Sequence, residues 1–388
     1  MRIALSALRP FHFVMLAHAL RRHSNDVEVY SSALRKFFRN LDTSIRTRMV
    51  PAPIQIGLRL LPGLKRRSWM DLDSAWYDFS VAAIIGKPDL TFGLATLAML
   101  TAKTVKGRGG LFVLDRACPH CDVQQALVRR EAELVGAEYI PQPTWLRDRQ
   151  LREYELADAI LVPSRYTASS FPAEFQSKLV IAPLLGRAKA SERLHAERNK
   201  IFTVGVVGGS PLRKGYLYLL KAWQKLALPN AKLRIRSGNG FAGFPALEEL
   251  VNRMSNVEMV GYVPNIFDFY RDCDVFVLPS VDDGFGMALL EAMTNHVACI
   301  ATTNVGASEL LTDGRDGIVV EPASEDQLAA AILRLYESED LRRSMGAAAA
   351  ERARNVAGAS LYQNAIDSLM TRLQKDRLPL SNFSSQPV

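Results

Sequence analysis

Short apolar runs alternate with stretches of helical periodicity along this chain. "RIALS" (2–6), "VEVYS" (27–31), "DLTF" (89–92), "GLFVLD" (110–115), "AILVPS" (159–164) and "KLVIA" (178–182) read as strands. Helices are predicted between them over roughly Phe13–Arg22 and Ala95–Val105, and from about Gln124. This alternation signals parallel α/β layers. A polar stretch without sheet periodicity interrupts it at about 183–199. A second series then begins with "FTVGVVGG" (202–209). It continues through "KLRIRS" (232–237), "VEMVGYV" (257–263), "DVFVLPS" (274–280), "VACIATT" (297–303) and "GIVVEP" (317–322). In Tyr216–Leu226, Leu219, Leu220, Trp223 and Leu226 recur at helical spacing and mark a core face.

Two doubly wound, Rossmann-like α/β domains are therefore expected, over 1–185 and 201–359, joined by a linker at 186–200. A ligand crevice is expected at the carboxyl ends of their strands. A helix over about 360–376 is predicted to pack back on the first domain. A Ser/Pro/Asn-rich tail at 377–388 is expected to be disordered.

Composition changes this picture only locally. The chain is 48% apolar and 23% charged, as soluble globular proteins are, and its four cysteines are too few to staple 388 residues. No signal peptide is visible. The longest largely apolar run, Leu90–Ala102, is shorter than the roughly 20 residues that span a bilayer. A cytoplasmic location is expected, peripheral at the inner face of a membrane. The net charge of +8 is uneven: between 35 and 67 lie nine Arg or Lys residues against one acid, Asp42, interleaved with Phe, Ile and Leu. Such a mixture suits an anionic membrane surface, and equally a solvated basic face. Nucleic acid is not among the expected partners.

Candidate chemistry concentrates in the second half. In "GVVGGSPLRKG" (205–215) a strand runs into Gly208 and Gly209, and Arg213 and Lys214 precede a helix. The glycines allow close backbone approach, and the two cations can neutralise a diphosphate. In "PSVDDGFGMALLEAM" (279–293) a strand ends at two carboxylates, and Gly284-Phe285-Gly286 opens a helix at Met287 that carries Glu291. Amides at such a helix start hold phosphate or sugar oxygens, and carboxylates accept hydrogen bonds from hydroxyl-rich ligands. "TTNVGASELL" (302–311) repeats the design with Gly306 and Glu309. Asp272-Cys273-Asp274 leads into an apolar strand and reads as structural, so no metal site is expected.

These patches together resemble the donor domain of retaining family-4 glycosyltransferases, also called glycosyl transferases group 1, which have the GT-B fold. Asp283-x7-Glu291 resembles the family's E-x7-E signature, and "VGGSPLRKGYLYLLKAW" its Arg/Lys-bearing loop. "GYVPNIFDFYRDCDVFVLPS" and "ELLTDGRDGIVVEP" resemble the flanking segments. The resemblance is dense over roughly 200–350. It implies a deep cleft between the two domains and transfer from a nucleotide diphospho-sugar, UDP- or GDP-linked, with no further cofactor. Arg213 and Lys214 would hold the diphosphate and Glu291 the ribose. Asp283 would bind the sugar hydroxyls, aided by the amides of Gly284, Phe285, Gly286 and Met287. Backbone groups at Tyr262 and Val263 would face the base. Asp at 283 is one methylene shorter than the family's Glu, on the order of 1.5 Å. The family also often has Gly where His296 and Ala307 stand.

Cys118-Pro-His-Cys121 admits three readings: a redox pair, half of a zinc site, or part of another kind of site. It follows a strand inside a large domain, and no second Cys/His pair is spaced to complete a zinc site. "LDRACPH" (114–120) and "SALRPFHFVMLAHAL" (6–20) are similar to patches of a glycosyltransferase subset. That likeness makes His120 the functional residue, at a strand end facing the cleft, with Asp115, Arg116 and His12 beside it at the acceptor. It implies a glycan or lipid-linked acceptor, in cell-surface polysaccharide or glycolipid synthesis. Arg213, Lys214, Asp283 and His120 form the catalytic set, with same-face attack by the acceptor and the departing phosphate as base. The alternatives are a nucleotide-sugar 2-epimerase of the same fold, a catalytically weak donor-binding module and a thiol oxidoreductase.

Overall fold

The computed structural model describes residues 1–8, 13–24, 26–32, 41–42, 44–50, 66–184, 201–238, 240–356 and 360–375. The expected linker and tail, His12, and about two thirds of the basic stretch at 35–67 lie outside the described residues.

Two parallel sheets organise the chain. The first contains β1 (Arg2–Ser6), β2 (Asp26–Ser31), β3 (Arg46–Met49), β4 (Leu90–Leu94), β5 (Leu111–Asp115), β6 (Ala159–Val162) and β7 (Leu179–Ile181), in the order β3-β2-β1-β4-β5-β6-β7. The second contains β8 (Phe202–Val207), β9 (Ala231–Arg236), β10 (Val257–Met259), β11 (Val275–Leu278), β12 (Ala298–Thr302) and β13 (Ile318–Val320), in the order β10-β9-β8-β11-β12-β13. All neighbouring strands within each sheet run parallel. Strands covered by helices on both faces need apolar residues at consecutive positions, and β6, β11 and β12 are buried along their whole length. In each sheet the strand order reverses at one point, between β1 and β4 and between β8 and β11. A crevice opens outside the carboxyl ends of the strands at such a point.

Several elements begin or end away from the hydropathy boundaries. The helix expected from Ala95 starts at Met99. Thr96 takes a positive φ in the turn before it, and the amides of Thr96 and Ala98 bond the buried Glu153 carboxylate at 2.6 and 2.9 Å. The helix expected from about Gln124 starts at Cys121 because His120 caps it. β10 ends at Met259, four residues before the end of "VEMVGYV". His296, where the family often has Gly, has φ 58° in the turn leading to β12.

The helix Ser360–Lys375 lies against the first domain. Tyr362, Ile366, Leu369, Met370 and Leu373 are buried with Ile3, Leu5, Phe13 and Leu16, and Asp367 meets His23 Nε2 at 2.7 Å. No described helix is long and apolar enough to cross a membrane.

Candidate active site

The loop 208–215, after β8, and the loop 279–286, after β11, leave adjacent strands at the reversal point of the second sheet. The two loops are locked together. The Arg213 carbonyl accepts from the amides of Val281 (2.9 Å) and Asp282 (3.3 Å). Gly215 has φ 64°, and a Cβ there would overlap the Pro279 carbonyl, so only glycine lets the loops approach this closely. Lys214 lays its stem across Gly208, whose carbonyl accepts from Tyr216 Oη at 2.7 Å. The consequence is chemical: Arg213 and Lys214 reach the two aspartates. Arg213 Nε donates to Asp282 Oδ2 at 2.8 Å, and Lys214 Nζ donates to Asp283 Oδ2.

Asp283 is fixed from a third side. It bridges Val305, with its amide on the Asn304 carbonyl at 3.0 Å. Gly286, at φ 85°, starts the helix Met287–Thr294, which has no side-chain cap at its first turn. That start carries the positive end of the helix dipole, and a Cβ on Gly286 would stand 3.6 Å from Asp283 Oδ2, the oxygen that Lys214 holds. Glu291 lies one turn further on, half-buried, and its Oε2 accepts from Tyr270 Oη at 2.9 Å. Burial and the Glu291 carboxylate push the Tyr270 phenol up, so it stays a donor. Tyr262 stands out from the loop after β10, 83% exposed, and the adjacent Val263 is half-buried. The structure thus brings together Gly208, Arg213, Lys214, Asp283, Gly284, Gly286 and Met287.

The first domain supplies the opposite wall. Its loop 116–120 packs onto 284, where a Cβ would overlap the Ala117 carbonyl. Ser164 Oγ and Thr167 Oγ1 donate to the Gly284 carbonyl at 2.7 and 3.0 Å. Glu309 receives the amides of Arg165 and Tyr166 at 3.1 and 2.7 Å, so the residue expected at the start of its own helix caps one in the other domain. Glu131 lies in the interface as a buried carboxyl, raised by burial, with Tyr218 Oη donating to it at 3.0 Å.

Three expected residues sit differently from expectation. Asp115, Arg116 and His120 are all buried rather than on an open wall of the cleft. Arg116 directs its guanidinium at its own loop, with Nε 3.0 Å from the Cys118 carbonyl and Nη2 2.6 Å from that of Pro119. It shapes the loop and is not placed to touch an acceptor. The His120 ring lies between Tyr154 and Phe171, with centroids at 5.1 and 5.3 Å. Its Nδ1 accepts from the Asp122 amide at 3.3 Å as the helix cap. Burial pulls the imidazole below its ordinary value, so it is neutral and its proton lies on Nε2. That Nε2 is buried without a hydrogen-bond partner among the described residues.

The two cysteines differ. Cys118 is half-exposed and Cys121 is buried, its thiol pushed up by burial. His120, Cys121 and Asp122 cluster with ligand atoms within 4.8 Å of one another. A protonated thiol is a poor metal ligand, however, and Arg147 already holds the Asp122 carboxylate with two bonds of 2.6 and 2.8 Å. Asp282, which accepts from Gln124 and Tyr166 of the first domain, adds a further interdomain contact, and no local motif marks Asp282 or Tyr166 for that role.

Residues 198–338 match the family model described as "Glycosyl transferases group 1". The capsular polysaccharide biosynthesis glycosyltransferase CapM of Staphylococcus aureus is 24% identical over 196 residues, covering 50% of this chain and 52% of CapM. The chain spans about half the length of the curated relatives it matches first. Among solved structures, sucrose-phosphate synthase from Thermosynechococcus elongatus superposes with a TM-score of 0.69 at 17% identity, covering 97% of this chain and 100% of that one. HepE of Anabaena, in complex with UDP and glucose, superposes with a TM-score of 0.66 at 15% identity, covering 96% and 100%. Likeness at this identity speaks for the fold across the whole chain, and the family match for its second half. The chain thus has a two-domain GT-B fold, and its residues 198–338 match the glycosyl transferases group 1 family model.

Proposed function

We propose that the protein transfers a sugar from a nucleotide diphospho-sugar to a glycan or lipid-linked acceptor, with retention at the anomeric carbon. One observation carries this reading: Arg213 and Lys214 converge with Asp282 and Asp283 beside an uncapped helix start at the reversal point of the second sheet. The names of two relatives support it, since CapM is a capsular polysaccharide glycosyltransferase and HepE was solved with UDP and glucose.

Each group has a task in this reading. Negative charge grows on the diphosphate as the glycosidic bond breaks, and the two cations and the helix amides stabilise it. Such preorganised charge is usually the largest catalytic contribution, commonly about 10²–10³ in rate per donor. Both cations bond carboxylates, so a diphosphate enters a neutralised, held pair and not a mobile one. Asp283 then accepts from sugar hydroxyls while Lys214 turns part of its charge to the phosphate. Glu291, with one oxygen on Tyr270, takes the ribose, and the exposed Tyr262 lies by the base. His120 offers its unpartnered Nε2–H to a sugar oxygen once substrate reaches it. The acceptor attacks from the face the diphosphate leaves, and the departing phosphate takes its proton. The exposed Leu72, Trp76 and Phe79 on the outer face of the helix Arg66–Ile84 support a membrane-borne acceptor.

The test is incubation of the protein with UDP- and GDP-sugars and lipid-linked or free glycan acceptors, with the product followed by NMR. The expected result is acceptor-dependent product with the donor's anomeric configuration. Inverted product, or isomerised sugar nucleotide formed without acceptor, contradicts the reading.

A further inference from the structure

Asp282 precedes Asp283 and, in the reading above, holds Arg213 without touching substrate. Its side chain is fully buried. Three donors from three elements meet on it: Arg213 Nε on Oδ2 at 2.8 Å, Gln124 Nε2 on the same oxygen at 2.9 Å, and Tyr166 Oη on Oδ1 at 3.2 Å. Arg213 comes from the second domain, whereas Gln124 and Tyr166 come from two different helices of the first. Burial and the adjacent Asp282 push the Tyr166 phenol up, so it donates at any ordinary pH. Asp282 is thus a single buried anion reached from both sides of the cleft.

We propose that Asp282 is a positioning residue that couples closure of the two domains to the orientation of Arg213. The geometry supplies the route. Arg213 presents Nε to Asp282, which fixes the plane of the guanidinium and turns its remaining N–H groups elsewhere. The Arg213 backbone is pinned to 281 and 282 as well, so its side chain has one anchor and a short reach. Gln124 can hold Asp282 only while the first domain stands against the second. Tyr166 is in the same position, so separating the domains takes two of the three donors from the buried carboxylate and weakens the anchor of Arg213. Closing them restores it. Lys214 is held by a different carboxylate, Asp283, so this coupling acts on one of the two cations.

This inference rests on the diphosphate reading of Arg213, and the experiment separates the two. Calorimetric titration with UDP and with GDP is carried out on the wild-type chain and on Gln124→Leu, Tyr166→Phe, Asp282→Asn and the double variant Gln124→Leu/Asp282→Asn. Gln124→Leu and Tyr166→Phe remove only a neutral bond and keep the chain folded. The expected result is diphosphate affinity lowered about 3- to 10-fold by Gln124→Leu and about 10-fold by Asp282→Asn, with the double variant no weaker than Asp282→Asn alone. Asp282→Glu, which restores the charge, recovers part of the loss. Independent, multiplying effects in the double variant overturn the coupling. So does a fall in thermal stability with unchanged affinity, which marks Asp282 as structural only. Failure of the wild-type chain to bind either diphosphate removes the underlying reading instead.

Discussion

A buried N–H without an acceptor costs about 1–3 kcal/mol, and His120 Nε2 is such a group among the described residues. A protein that keeps this cost at the tip of β5, one loop from Gly284, gains from it only if a ligand completes the bond. The cap role can be kept while the donor at the Nε2 position is removed, because an Asn side-chain oxygen also accepts from the amide two residues on and its shorter amide nitrogen does not reach that position. His120→Asn should therefore leave thermal stability within about 1 kcal/mol of wild type and diphosphate affinity nearly unchanged, while transfer falls about 100-fold. Steady-state kinetics and thermal unfolding check it; unchanged transfer returns His120 to capping alone. Legibility at this scale followed sequence distance. Arg213, Lys214 and Asp283 could be read from adjacent motifs, because the turn, the cations and the helix start are local. The partners of Asp282 could not, since Gln124 lies 158 residues away and Tyr166 lies 116 away, and neither spacing has a periodic signature.

Helix Arg66–Ile84 has an inverted distribution of side chains. Tyr77 and Asp78 are buried and Asp73 is nearly so, whereas Leu72, Trp76, Phe79 and Ile84 are exposed. Asp78 is satisfied inside: it accepts the amides of Leu100 and Thr101 and the Thr101 hydroxyl, and pairs with Arg149. A carboxylate from one helix thus caps the start of another, Met99–Gly107, and draws polar residues inward. Hydropathy reading places such a helix with the wrong face in, and this one went unread. Strand β3 was missed for the opposite reason: as an edge strand with sequence RTRM it has no apolar run to detect. Leu72, Trp76 and Phe79 fall at spacings of four and three residues, one stripe on the outer face. Trp and Phe on an outward stripe, preceded in sequence by Lys65, Arg66 and Arg67, suit a shallow seat in an anionic bilayer. Trp76→Ser/Phe79→Ser should lower co-sedimentation with phosphatidylglycerol vesicles at least about 10-fold, given roughly 1.5–3 kcal/mol for each large side chain fully buried. Equal sedimentation of the variant and the wild-type chain contradicts this placement.

At the scale of the whole molecule, two sheets of like strand order meet through a largely polar interface. The sheets were legible because parallel strands buried on both faces must be apolar throughout, and that signal survives without any knowledge of contacts. The interface was not, because its groups, Glu131 with Tyr218, Gln124 with Asp282 and Ser164 with Gly284, look individually like surface residues of their own helices and loops. The same interface brings the 116–120 loop onto the 284 turn, so the cations of one domain and the walls of the other form one site. The central claim is that Arg213 and Lys214 make that site a diphosphate pocket. Its most direct test is calorimetric titration of UDP and GDP, against uridine and guanosine, into the wild-type chain and Arg213→Ala/Lys214→Ala. The account predicts that one diphosphate binds the wild-type chain at least about 10-fold tighter than its nucleoside, and that the double substitution abolishes this preference. A double variant that keeps the full diphosphate preference would contradict it.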